Sequence, residues 1–419
     1  MLAHWIWLAH HPGVNDRMKV ALLRHFSDPE DIFYADPESF SQVEGMTREA
    51  AEALKERDLA PAEEILAEVM KQKLHILTIR DVAYPARLTH ISDPPLVLYY
   101  KGQLPDFDAL PLIGVVGTRK ASPYGLTMAK RMGQEIAQCG GVVVSGMASG
   151  IDGMAMKSAL SAGGTVVGVL GCGADVVYPP SNKWLFADAE RYGCILSEFP
   201  PGTPPYRWNF PKRNRIISGL SCGVLVVEAP EKSGSLITAH QALEQGRDVF
   251  VVPGNVDQPG FVGSNRLLKD GGILASSGWD VMSEYALQFP DKVRKDTTPS
   301  RQVAYPDEVS RSREESGGIL GKVAQKTRLP KAKPEKKEKS NKKDVDKSTT
   351  GSYSDVNKDL SALTPDQRAI VDALRDGERL VDQVIAQVGL PAGRVSTELT
   401  MLAIRGIVKK LPGNRVCLK

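Results

Sequence analysis

Four short segments of this 419-residue chain combine residue types suited to gripping an anion. The first is Gly117-Thr118-Arg119-Lys120-Ala121-Ser122-Pro123. Its glycine permits close backbone approach, and Arg119 can fork onto a phosphate. Ser122 as N-cap and Pro123 at the first helical position announce a helix N-terminus with free N–H groups. The second, Ser145-Gly146-Met147-Ala148-Ser149-Gly150-Ile151-Asp152-Gly153, repeats the small residues, and its Asp152 can cap the next helix or orient a basic residue or a ribose hydroxyl. The third, from Phe210 to Ile217, carries Lys212, Arg213 and Arg215 around Asn214 and follows Tyr206 and Trp208. Aromatic rings beside cations supply what single-stranded nucleic acid needs, base stacking and backbone neutralisation. The fourth, opening with Ser233-Gly234-Ser235, starts a helix whose hydroxyl and N–H groups suit a further phosphate.

Each segment alone also reads as a plain helix cap or a solvated helix end. Taken together they indicate binding of a polyanion. Several patterns of other chemistries are missing: G-x-G-x-x-G with its distal acid, G-x-x-x-x-G-K-[ST], H-E-x-x-H and spaced Cys/His clusters do not occur. The seven histidines are dispersed. The sequence reading therefore expects no catalytic constellation, no metal and no cofactor.

These segments can act together only if one scaffold brings them to one rim. Apolar or β-branched runs occur at 112–117, 142–145, 165–170, 194–197, 223–227 and 248–252, mostly separated by helix-length stretches. Continuous apolar runs mark strands buried on both faces, and their alternation with helices requires parallel pairing through right-handed crossovers. The expected fold is α/β, a Rossmann-like doubly wound and mostly parallel sheet over 71–285, with added strands near 75–79 and 95–100. The four segments then fall outside the carboxyl ends of the strands, where such a sheet forms its crevice.

Composition sets the frame around that domain. With 42% apolar and 25% charged residues the chain is globular. Its net charge of +3 conceals a division: between Lys322 and Lys347, ten Lys and one Arg face four acids, a net +7 that leaves −4 for the rest. Nucleic-acid binding must then come from local patches in the folded parts. The stretch from about 292 to 357 is rich in Ser, Lys, Glu, Pro and Gly and reads as a basic disordered linker. Five scattered cysteines argue against a disulfide framework, and the lack of a long apolar run or signal peptide points to a cytoplasmic protein without membrane contact. The expected map is a small helical domain (1–70), the Rossmann-like domain (71–285), the linker (286–359) and a C-terminal domain (360–419).

In order along the chain, Gly117-Thr118-Arg119-x-x-Ser122, Ser145-Gly146 to Gly150-Ile151-Asp152, Gly171-x-Gly173 to Tyr178-Pro179, Ser197-Glu198-Phe199-Pro200, Phe210-Pro211-x-Arg213-Asn214-Arg215-Ile216-Ile217, Glu228-Ala229, Ser233 to Ala239 and Val252-Pro253-Gly254 closely resemble the DprA/Smf family over about 75–280. That resemblance implies a protein that binds and protects incoming single-stranded DNA and loads a RecA-type recombinase in natural transformation. It further implies a homodimer and no known catalytic turnover. Ser149 stands where that family often has Arg, and Met156 where it usually has His.

The flanks agree with the resemblance. Residues 1–70 look like the family's sterile-alpha-motif-like (SAM-like) domain, with a helix-hairpin-helix gripping DNA as the alternative. At the other end, Thr364-Pro365-Asp366-Gln367 forms a capping box, helical periods follow, and 407–411 and 415–418 flank a Pro-Gly-Asn turn. Three helices and a hairpin indicate a winged helix, whose Arg394, Arg405, Lys409, Lys410, Arg415 and Lys419 leave DNA contact and protein contact equally open. The rival from another class is a nucleotide-binding, phosphoribohydrolase-like enzyme of a related Rossmann fold. Its P-G-G-x-G-T signature is missing, with Val252-Pro253-Gly254-Asn255 the nearest approach.

Overall fold

The computed structural model describes residues 1–295 and, with 376, 391–393, 396–397, 400–401, 403–406, 412–414 and 419 set aside, residues 363–419. Most of the expected linker lies outside the described residues. The chain divides into two compact units, Met1–Ala324 and Gln325–Lys419.

The first unit begins with five helices, α1 (Leu2–His10), α2 (Asp16–His25), α3 (Pro29–Tyr34), α4 (Arg48–Ala53) and α5 (Ala60–Lys71). Then come β1 (His75–Thr78), α6 (Ala86–Thr89), β2 (Val97–Gly102), β3 (Leu112–Val116), α7 (Pro123–Gln138), β4 (Val142–Ser145), α8 (Ile151–Ser161) and β5 (Val166–Leu170). The unit continues with α9 (Lys183–Tyr192), β6 (Gly193–Ser197), α10 (Asn209–Leu220), β7 (Gly223–Val226), α11 (Gly234–Glu244), β8 (Asp248–Val251), α12 (Val262–Lys269), β9 (Ile273–Leu274) and α13 (Gly278–Met282).

The nine strands form one sheet in the order β1-β2-β6-β5-β4-β3-β7-β8-β9. Pairing is parallel from β6 to β9, while β1–β2 and β2–β6 are antiparallel. Alternation along each strand sends side chains into two apolar layers. Ile113 and Val115 pack with Met132 and Ile136 of α7, Ala155 of α8, Leu185 of α9 and Met282 of α13. Leu112 and Val116 pack on the other face with Leu88 of α6, Ile216 and Leu220 of α10, and Ala239 of α11. The sheet is therefore wound on both sides, as the sequence indicates. From β3 the chain winds outward in one direction through β4, β5 and β6, then crosses back through α10 to β7 on the other side of β3.

Two parts of the expected map differ from the structure. The N-terminal helices share a core with the sheet edge: Trp5, Ile6, Leu8, Phe33 and Phe40 pack with Leu96, Val97 and Tyr99 of β2 and its approach. Burying a large apolar side chain contributes about 1.5–3 kcal/mol, so this contact fixes the helices on the sheet. Residues 286–295, which the sequence assigns to the linker, continue the first unit: Phe289 and Val293 are buried in the α7 layer, and the Arg294 N–H donates to Cys139 O at 3.2 Å.

In the second unit α14 (Pro365–Ala373) opens on the capping box expected of Thr364 and Gln367. After it come β10 (Arg379–Leu380), α15 (Val381–Val388), β11 (Val408–Leu411) and β12 (Arg415–Leu418), with the strands ordered β10-β12-β11. Ile370, Leu374, Val384 and Val416 form its core, joined by Val395, Leu399 and Leu402 at helical spacing. This is a winged helix. Arg394 is paired with Asp366 at 2.7 Å and Arg415 with Glu378 at 2.7 Å, while Arg405 and Lys419 lie outside the described residues.

Candidate nucleic-acid interface

Where β3 has β4 on one side and β7 on the other, the crossovers leave in opposite directions and a crevice opens at the carboxyl ends, the position where open α/β sheets bind ligands. It encloses about 300 Å³. Its walls come from the β3–α7 connection (Gly117, Thr118, Arg119), the turn before α8 (Ala148) and the first turn of α8 (Asp152), the first turns of α10 (Phe210, Pro211, Arg213, Asn214, Ile217) and the approach to and start of α11 (Pro230, Lys232, Ser233, Gly234, Ser235).

The first wall is fixed by a buried carboxylate. Ser122 is the N-cap of α7: its Oγ accepts the Gly125 N–H at 3.0 Å and donates to Glu228 at 2.8 Å, while the Ser122 N–H reaches the same carboxylate at 2.9 Å. The Thr118 N–H donates to Glu228 O at 2.8 Å, so the ends of β3 and β7 are sewn together. Arg119 projects from this wall, exposed, with its guanidinium 4.8 Å from the centre of the Phe210 ring. Among the described residues no carboxylate forms a salt bridge with it.

Arg213 forms the floor. It is 4% exposed, its Nη1 donates to Val169 O, and its Nε has no hydrogen-bond partner. Burial lowers its pKa to about 10, opposed by the neighbouring Asp152, and it stays a cation at neutral pH. Burial raises the pKa of Asp152, against the pull of Arg213. That carboxylate also accepts the Gly146 N–H at 3.2 Å. Gly146 is required here because a Cβ would occupy the place of the Arg213 guanidinium. Gly150, at φ +78°, turns the chain into α8 against Thr118 O, where a Cβ would collide. Asn182 holds the loop from behind, its Nδ2 donating to Met147 O at 3.0 Å and Ala148 O at 3.1 Å. On the far wall Ser233 caps α11, accepting the Ser235 N–H, and Asn214 Nδ2 donates across to Gly234 O at 3.3 Å.

The residues singled out in the sequence thus divide. Gly117, Arg119, Arg213, Asn214, Ser233, Gly234 and Ser235 line the crevice. Ser122, Ser145 and Gly146 stand behind it: Ser122 is a cap, Ser145 is buried with its Oγ on Val115 O at 2.6 Å, and Gly146 makes room for Arg213. Lys212 and Arg215 face elsewhere. Lys212 Nζ lies 3.0 Å from Asp16 of α2, and Arg215, 3% exposed, lies 2.5 Å from Glu198 and 3.1 Å from Asp93. Burial opposes the charge of Arg215, yet Glu198, Asp93 and Asp16 outweigh it and hold its pKa above the usual arginine value. The cause of the split is helical phase: on α10, positions 210, 213, 214 and 217 share one face, and 212 and 215 share another. Sequence reasoning missed Lys232 and Asn182; Lys232 directly precedes the capping Ser233, a signal that was legible. Asp152 does not cap α8, whose N-cap is Gly150. Ser149 sits at the exposed rim near Ser181, and Met156 is fully buried in the α7 layer.

Residues 75–286 match the family model described as DNA recombination-mediator protein A, and residues 357–414 match the DprA winged helix domain. Protein Smf of Synechocystis sp. is 33% identical over 423 residues, covering 99% of this chain and 98% of that protein. DNA processing protein DprA of Bacillus subtilis is 44% identical over 220 residues, 52% of this chain and 74% of its own. The X-ray structure of DprA from Streptococcus pneumoniae superposes with a TM-score of 0.60 at 35% identity, covering 68% of this chain and 98% of that one. Fold, crevice and matches together define a DNA-processing protein that acts in recombination. The chain belongs to the DprA/Smf family. Among the described residues no helix is long and apolar enough to cross a membrane.

Proposed function

We propose that the switch-point crevice binds single-stranded DNA through its backbone, and that this protein protects the strand and delivers it to a RecA-type recombinase in natural transformation, working in the cytoplasm as a homodimer. The observation that carries this reading is that two guanidinium groups approach the Phe210 ring: the exposed Arg119, which forms no salt bridge among the described residues, at 4.8 Å from its centre, and the buried Arg213 at 5.9 Å. A strand offers that arrangement phosphates for the two guanidinium groups and a base for the ring. The reading is one of binding without turnover. Asp152 is the only carboxylate in the crevice lining among the described residues, and it is engaged by a backbone N–H and the charge of Arg213. The phosphoribohydrolase alternative would instead need a group in the crevice that activates water for attack on a glycosidic bond.

The test is a titration of the whole protein with single-stranded and duplex DNA of equal length at two salt concentrations. The strand should bind more tightly, and its affinity should fall with salt by about 0.7 log units per log unit for each phosphate contacted. Preference for duplex, or release of free base from nucleotides, would contradict the proposal.

A further inference from the structure

The segment leading into α10 holds a second aromatic feature, separate from the Phe210 ring inside the crevice. Tyr206 and Trp208 stack on each other with ring centroids 4.7 Å apart and planes 9° from parallel. Neither is folded away: Trp208 is 71% exposed and Tyr206 45%. Large rings left in water in a segment this firmly held call for an explanation. The Tyr206 N–H donates to Pro204 O at 2.8 Å, and the Asn209 N–H donates to Tyr206 O at 3.1 Å. Asn209, 5% exposed, anchors the end of the segment through Nδ2 to Gly171 O at 3.0 Å. The backbone therefore presents a pre-stacked pair of rings at little further ordering cost.

We propose that this pair is a nucleobase platform at the mouth of the crevice, stacking a base of the single strand as it leaves the Phe210 site; the inference rests on the single-strand reading above. Trp208 is the N-cap of α10, the helix whose first turns form one wall of the crevice, so the pair stands at the end of that helix nearest the site without lining it. Arg207, between the two rings in sequence, is exposed and forms no salt bridge among the described residues. A cation beside a flat exposed ring matches a phosphate beside a base. An apolar protein partner would leave that cation without a complement.

The experiment compares the full chain with Trp208→Ala, Trp208→Phe and Arg119→Ala, each titrated with oligothymidine and with an abasic phosphodiester tract of equal length and charge. Trp208→Ala should weaken oligothymidine binding about five- to tenfold, the lower range of base–aromatic stacking, and leave the abasic tract unchanged. Trp208→Phe should recover most of the loss. Unaltered oligothymidine affinity in Trp208→Ala, or equal losses on both ligands, would overturn the platform, the latter because it reports a structural role. Arg119→Ala should weaken both ligands alike; if it weakens neither, the crevice reading fails independently of the platform.

Discussion

The first turns of α10 carry three cations within four residues and put them to two uses. On the crevice side Arg213 is buried beside one carboxylate, and Arg119 stands over Phe210 without an ion pair among the described residues. On the flank Lys212 and Arg215 meet Asp16, Glu198 and Asp93. Those acids arrive from α2, from the end of β6 and from the segment before β2. The flank thereby joins the N-terminal helices to the α/β domain, while the crevice keeps positive charge open to a ligand. Two cations next to each other in sequence can thus do unrelated work, and carboxylates brought by distant parts of the chain decide which.

The largest effect should follow from removing Arg215. Taking one partner out of a buried ion pair leaves uncompensated charge and costs about 3–5 kcal/mol. Arg215→Ala should therefore lower the thermal midpoint by on the order of 10 °C, and any loss of DNA binding should track the unfolded fraction. A variant that melts normally yet binds DNA with a flattened salt slope would move Arg215 to the crevice side and break the comparison.

A smaller effect sharpens it. His10 of α1 bonds through Nε2 to the Tyr99 hydroxyl at 2.9 Å. Burial, with help from the Lys19 and Lys212 cations, pushes its pKa down to about 3. The folded state thus binds this proton less readily than the unfolded chain, where the value is 6.5. The contribution of His10 is complete above pH 6.5 and is lost as pH falls toward 3, by up to about 1.4 kcal/mol per unit. Denaturant unfolding at pH 7.5 and 5.5 should show this loss in the parent and a shallower one in His10→Asn. Equal slopes would mean that the histidine is not held neutral at the interface.

The strands were legible because parallel strands buried on both faces appear as unbroken apolar runs, as at Leu112–Val116 and Val166–Leu170. The caps at Ser122, Ser233 and Thr364 were legible because capping is local chemistry. The two-residue strand Arg379–Leu380 is too short to leave a pattern. The fates of Lys212 and Arg215 were hidden for another reason. Reading the cations of 210–217 as one patch ignores helix phase, and Asp16 lies almost two hundred residues away in sequence. Asn182 likewise acts on a loop more than thirty residues earlier, which no local spacing reports.

The central claim, that the crevice side carries the strand and the flank does not, is tested most directly by the salt dependence of oligothymidine affinity in the parent, Arg119→Ala and Lys212→Ala. A charge-assisted phosphate bond is worth roughly 1.5–3 kcal/mol, so Arg119→Ala should weaken binding about tenfold or more and flatten the slope by about 0.7. Lys212→Ala, already paired with Asp16, should keep the parent slope. If Arg119→Ala is folded and leaves both affinity and slope intact, or if Lys212→Ala flattens the slope as much, the strand does not lie in the crevice.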